Sequence, residues 1–367
     1  MTMHWFLAHE QFNDLIQSLS AAGYPCIGPQ VRDNAIVYAP LSHADQLPWG
    51  IVDKQTPGGY QLQETGKKTA FGWVNGPQAA KPQLFTPRES VWQVQRDPQG
   101  KLEFKPVLPS TAEVKKTLFA IRPCDLRAML IQDKVFMQGD HREPRYLLRR
   151  KNILIVVANC VTSSNNCFCV SAGGYPQAKA DFDLALTEIE QGCVIEAASP
   201  QGQTILGQLN LTLASKEQIN AAQGHITHAA QMQQKRLPPG ILRDALFANL
   251  DHPRWEEVAA RCLSCGNCTQ VCPTCFCHSE AEQPNLEGTQ STHVREWDSC
   301  FTHDHSYIHG KTIRETTKDR YRQWLTHKLG SWHDQFGESG CVGCGRCISW
   351  CPVGIDITEE TQAICKG

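Results

Sequence analysis

Residues 262–273 read CLSCGNCTQVCP, and residues 341–352 read CVGCGRCISWCP. Each stretch is Cys-x2-Cys-x2-Cys-x3-Cys-Pro: Cys262, Cys265, Cys268 and Cys272 in the first, Cys341, Cys344, Cys347 and Cys351 in the second. Two-residue spacers let three thiolates converge on three corners of an iron–sulfur cubane, while the fourth cysteine points away and proline turns the chain. With 18 cysteines in 367 residues, four fixed positions match by chance about 0.002 times over the chain. Two matches, each followed by proline, are therefore a signal. Structural zinc is the competing reading. It fits poorly, because each motif already supplies four donors and the long gap between them suits no zinc ribbon.

In two-cluster ferredoxins the fourth cysteine of each motif ligates the other cluster. That pattern predicts two 4Fe–4S clusters with crossed ligands. One set is Cys262, Cys265, Cys268 and Cys351. The other is Cys341, Cys344, Cys347 and Cys272. A compact ferredoxin has no 68-residue insert between its motifs, so the support here is expected to be helical.

Working outward, four more cysteines form a second group: Cys124 in RPCD, Cys160 in ANC, and Cys167 and Cys169 in NCFC. TLFAI (117–121), a helical stretch at 126–137 and NILIVVAN (152–159) read as a strand–helix–strand unit, with Asp125 as a candidate cap for the helix. If the two strands are parallel neighbours, Cys124 and Cys160 emerge on the same sheet edge, where ligands bind in open α/β sheets. Cys167 and Cys169 follow a short loop later, so the four are a candidate third 4Fe–4S site. Buried free thiols are the plainer reading. Cys275, Cys277 and Cys300 extend the first motif or sit in WDSC; they pack around a cluster or donate S–H bonds that tune it, with a further metal site as the less favoured reading. Cys26, Cys193 and Cys365 stand alone and read as structural. HDHSYIH (303–309) has spacing that could bind a metal but reads first as a solvated loop, and Arg314, Lys318, Arg320, Arg322 and Lys328 read as a solvated helix face, less readily as a docking face for an acidic partner.

The chain-wide pattern predicts an α+β fold: a mixed α/β domain over 1–254, then a mostly helical two-cluster ferredoxin-like domain over 255–367. Twelve of the cysteines lie after residue 261. Phe12, Leu15, Ile16 and Leu19 share one helical face, residues 35–39, 91–94, 193–197 and 204–206 read as strands, and 40–90 reads as loop. Beyond 252 no strand is expected. A capping box at Thr312–Glu315 opens an amphipathic helix over 312–329.

Net charge is −2, which gives no basic excess for nucleic acid. The longest apolar run, Ile153–Ala158, is far shorter than the roughly 20 residues that span a bilayer. No secretory signal is visible at the N-terminus, so the expected location is cytoplasmic. No dinucleotide fingerprint, Walker A loop, nucleophile elbow or haem motif is present, and no catalytic site of the chain's own is expected.

RPCD (122–125), NC (159–160), NCFC (166–169), CLSCGNCTQVCPTCFC (262–277), REWDSC (295–300) and CVGCGRCISWCPVGI (341–355), in this order, resemble the iron–sulfur β subunit of soluble, sulfhydrogenase-type NiFe hydrogenases. The likeness runs from about residue 85 to 360. The related iron–sulfur subunit of anaerobic sulfite reductase has a similar order and is the alternative. The resemblance implies an electron-transfer subunit, relaying between a flavin subunit that uses NAD(P)H and a NiFe catalytic subunit. A stand-alone redox sensor is the remaining alternative, though no effector module is recognisable.

Overall fold

The computed structural model describes residues 3–366. β1 (Trp5–Ala8) leads into helix Phe12–Ala21, which buries Phe12, Leu15, Ile16 and Leu19 as its periodicity predicts. β2 (Cys26–Arg32) and β3 (Ala35–Leu41) pair across Asp33–Asn34, both at positive φ. That is the twisted two-residue turn that hairpins favour. β4 (Ile51–Thr56) and β5 (Gly59–Glu64) form a second hairpin inside the stretch expected to be loop, and β6 (Arg88–Arg96) and β7 (Leu102–Pro106) form a third. β8 (Lys116–Ile121), helix Pro123–Met137 and β9 (Ile153–Ala158) are the expected strand–helix–strand unit, with β8 and β9 parallel.

β10 (Leu184–Ile189), β11 (Gly192–Ala197) and β12 (Thr212–Leu213) complete an eight-stranded sheet in the order β12-β1-β11-β10-β9-β8-β2-β3. Its middle, β10-β9-β8-β2, is parallel. Parallel strands need cover on both faces, and β9 shows it. Leu154, Val156 and Ala158 enter one apolar cluster, with Leu15, Ile16 and Phe119; Ile155 and Val157 enter another, with Leu126 and Met129. Residues 204–206 depart from expectation: they lie in helix Pro200–Gly207, where the Ser199 hydroxyl caps the Gly202 amide at 3.0 Å and proline opens the first turn.

The C-terminal part contains a hairpin that its sequence does not advertise. β13 (His278–Pro284) and β14 (Gln290–Trp297) are polar strands with little alternation. They form because β14 pairs with β6, making a four-stranded sheet β13-β14-β6-β7. The division expected at 254/255 therefore coincides with no gap in that sheet. A short hairpin pairs Tyr307–Ile308 with Lys311–Thr312, and the rest is mainly helical, around a core of Trp255, Tyr321, Trp324, Leu325, Ile348 and Ile357. The linking helix begins later than its T-x-x-E pattern suggests: it spans Thr317–Thr326 and is capped by Thr316, which accepts from the Asp319 amide. Among the described residues no helix is long and apolar enough to cross a membrane.

Candidate iron–sulfur centres

Helix Arg254–Arg261 delivers Cys262 at its C-terminal cap. Ser264 and Gly266 then take positive φ, and the chain curls so that the Ser264 amide points at the Cys262 sulfur, 3.4 Å away. The second motif repeats the curl: Gly343 and Gly345 are at positive φ, and the Gly343 amide reaches the Cys341 sulfur at 3.4 Å. The Ile355 amide does the same for Cys351, at 3.3 Å. Amides aimed at sulfur favour the thiolate, the form that binds iron.

The fourth cysteine of the second motif faces the first. Cys262, Cys265, Cys268 and Cys351 line one apolar cavity with Phe301, Tyr321, Trp324 and Ile355. Cys272 stands with the other motif, within electrostatic reach of Cys341, Cys344 and Cys347. Cys341 and Cys344 are buried, and Cys265 is exposed. Burial pushes the Cys341 thiol up to about 12. Desolvated thiols gathered this way are costly without a positive partner, and iron supplies one, so the donor set fits the cluster that the motif spacing implies.

Two buried cations serve the Cys272 side. Lys328, expected on a solvated helix face, is 4% exposed. Its ammonium donates to Cys272 Sγ at 3.3 Å, Thr274 Oγ1 at 3.0 Å and the Gly340 carbonyl at 3.2 Å. All three of its protons are thereby placed. Burial alone would lower its pKa, but the surrounding thiolates, Cys272 first, hold it well above the ordinary lysine value. Arg320, expected on the same face, is also buried and donates to the Arg314 and Glu315 carbonyls. Sequence reasoning missed Lys328 because the helix loosens into a wider turn over His327–Ser331, which rotates the side chain inward. Arg346, inside the second motif, pairs with Asp125 at 2.9 Å, both 1% exposed. Asp125 thus anchors the second motif instead of capping its own helix.

Cys124 lies in the first turn after β8 and Cys160 follows β9, so the parallel pairing brings both to one sheet edge. Cys124 is within reach of Cys160 and of Cys344; Cys160 and Cys167 are within reach of Cys169. Burial pushes the Cys160 thiol up to about 12. Gln233 Nε2 donates to Cys169 Sγ at 3.2 Å, and Ser164 Oγ lies 3.3 Å from Cys167 Sγ. This group is interlocked with the second motif. The Phe168 amide donates to the Gly343 carbonyl at 2.9 Å, and a Cβ on Gly343 would stand 2.6 Å from Cys169 Cα. Cys26 and Cys193 are core residues of the large sheet, and Cys365 packs at the edge of the helical core.

Residues 261–355 match the family profile of a 4Fe-4S dicluster domain. Over 275 residues the chain is 30% identical to sulfhydrogenase 2 subunit beta of Pyrococcus furiosus, a match covering 74% of this chain and 80% of that relative. No solved structure matches the chain. The match extends well beyond the two cysteine motifs, and the chain belongs to the sulfhydrogenase β-subunit family of iron–sulfur proteins.

Proposed function

We propose that this iron–sulfur electron-transfer subunit holds one 4Fe–4S cluster on Cys262, Cys265, Cys268 and Cys351 and a second on Cys341, Cys344, Cys347 and Cys272. A third sits on Cys124, Cys160, Cys167 and Cys169. The observation that carries the reading is the exchange of fourth cysteines: Cys351 lines the cavity of the first motif, and Cys272 stands among the thiols of the second. When bound, such clusters accept and donate single electrons. The chain's own residues hold them and keep water away. Tyr321, Trp324 and Phe301 wall the first quartet. Lys328 and Arg346 offset the negative charge of the second. The Asn166–Cys169 loop, packed on Gly343 and Gly345, brings the third group against the second.

The first quartet is the most exposed of the three sets, at exposed Cys265 beside exposed Leu263 and Val353. Electrons therefore enter or leave there. The match to a sulfhydrogenase β subunit supports a hydrogenase complex, and the partners of this reading are a flavin subunit using NAD(P)H and NiFe hydrogenase subunits, in the cytoplasm.

The test is EPR with iron and sulfide analysis on the anaerobically purified chain. Cys351→Ser is expected to degrade the signal that Cys262→Ser also degrades, and to leave the signal sensitive to Cys341→Ser. The opposite grouping would discard crossed ligation. Co-purification with flavin- and nickel-containing subunits checks the partners.

A further inference from the structure

Three cysteines remain outside these sets, and the β13–β14 hairpin gathers them. Cys275 and Cys277 run into β13, and Cys300 follows β14. Because His278 pairs with Trp297, the start of one strand lies beside the end of the other, and the Asp298 amide donates to the Cys277 carbonyl at 3.0 Å. The Cys277 and Cys300 thiols thereby line one cavity within electrostatic reach of each other. The loop expected to be solvated is so at His303 and His309, but its middle histidine turns inward. His305 Nδ1 sits 2.8 Å from Asp298 Oδ2, and its ring shares a cavity wall with Cys277, within electrostatic reach of it. Asp298 is itself held by the Ser299 amide at 2.7 Å and Thr302 Oγ1 at 2.8 Å. A carboxylate that fixes one ring nitrogen and frees the other is the usual support of a ligating histidine.

Cys275, Cys277, Cys300 and His305 line one cavity of about 180 Å³, with Arg314 and Lys328 also in its wall. Two cations suit an anionic, thiolate-ligated group. Among the described residues no three His, Cys, Asp or Glu side chains are drawn together tightly enough for a single metal ion. The motif quartets share this open spacing, which suits a multi-iron centre whose ligands stand apart.

We propose that Cys275, Cys277, Cys300 and His305 hold a further iron–sulfur cluster, ligated by three thiolates and one neutral imidazole. Ligation replaces three S–H bonds by S–Fe bonds and releases three protons to solvent. His305 binds through Nε2 while Nδ1–H donates to Asp298. Cys275 also faces Cys272, so the added centre borders the Cys272 quartet and exchanges single electrons with it. A neutral ligand in place of a thiolate makes the centre less negative, so its potential lies above that of an all-cysteine cluster in the same setting.

The full chain, purified anaerobically, tests this through iron and sulfide content and through EPR with nitrogen hyperfine spectroscopy. Cys300→Ser is expected to lose about four irons and four sulfides per chain while the ferredoxin-type signals persist. Protein labelled with 15N-histidine is expected to show nitrogen coupling to one reduced cluster. His305→Cys is expected to keep the iron, lose the coupling and lower that centre's potential. Cys300→Ser with the wild-type iron content overturns the added centre, and so does labelled wild-type protein without histidine coupling. If Cys262→Ser loses iron while Cys300→Ser does not, the relay stands and only this centre falls.

Discussion

A lysine buried against a cysteine sulfur is expensive unless every proton has an acceptor, and Lys328 has three. Its positive charge favours the more negative, reduced state of whatever Cys272 ligates. Lys328→Met keeps most of the volume and removes the charge and the sulfur hydrogen bond. The expected result is a lower reduction potential for that centre alone, by on the order of tens of millivolts, read by EPR redox titration. An unchanged potential would mean that the ammonium only fills space. Arg346 plays a parallel part through its pair with Asp125, both 1% exposed. Arg346→Leu leaves a buried carboxylate unpaired, and about 3–5 kcal/mol of stability should go with it, as chemical denaturation of the holo chain can check.

At the scale of elements, the curl of the second motif depends on two glycines, Gly343 and Gly345, whereas the first motif places Ser264 where the second has Gly343. Gly343 is at φ +66, and a Cβ there would stand 2.6 Å from both the Cys169 backbone and the Phe168 carbonyl. Gly343→Ala is expected to push the Asn166–Cys169 loop away, cost about 1–3 kcal/mol and lower iron occupancy at the Cys124 group more than at the first quartet. Iron analysis with EPR on the variant decides this.

The β13–β14 hairpin offers a pH test of its own. His293 stacks on Trp92 at 4.7 Å and lies between Glu282, at 2.7 Å, and Glu280, at 3.1 Å. Burial acts to lower its pKa, but the hydrogen bonds to Glu282 and Glu280 outweigh burial and raise it above the ordinary histidine value. A raised folded-state pKa adds stability that is complete below about 6.5 and disappears as pH rises through the raised value. An NMR titration of His293 should therefore show a midpoint above 6.5 that drops in Glu282→Gln.

At the scale of the molecule, the second motif is wrapped by the N-terminal part. Asn75 Nδ2 donates to the Cys344 carbonyl at 2.9 Å, the Gly58 amide to the Ile348 carbonyl at 3.0 Å, and Asn166 Nδ2 to Ser349 Oγ at 2.9 Å. Arg346 reaches the Gly76 carbonyl at 2.8 Å, and β6 pairs with β14. The chemical boundary near residue 255 therefore crosses continuous packing. The holo chain is expected to unfold in one cooperative transition. Removing iron with a chelator under anaerobic reduction should lower the midpoint of that whole transition, because the buried thiols lose their counter-charge throughout. Two separate transitions, only one of them iron-sensitive, would show independent halves.

Local patterns made much of this readable in advance. Cys-x2-Cys-x2-Cys-x3-Cys-Pro is a statement about reach over a dozen residues, so the eight motif cysteines needed no fold to be seen. The face of helix Phe12–Ala21 and the buried run of β9 follow from period and hydrophobicity alone. The strand–helix–strand unit likewise puts Cys124 and Cys160 on one edge. What the tertiary structure decided lies at long range. β13 and β14 are too polar to announce themselves and exist because β6 offers an edge. Lys328 and Asp125 carry ordinary surface-type side chains, and only packing turned one onto Cys272 and the other onto Arg346. His305 looked like one histidine of a wet loop until strand pairing set Cys277 beside Cys300 and Asp298. Spacing along the chain fixes a ligand set when its donors are neighbours in sequence; when they come from separate elements, only the packing of those elements brings them together.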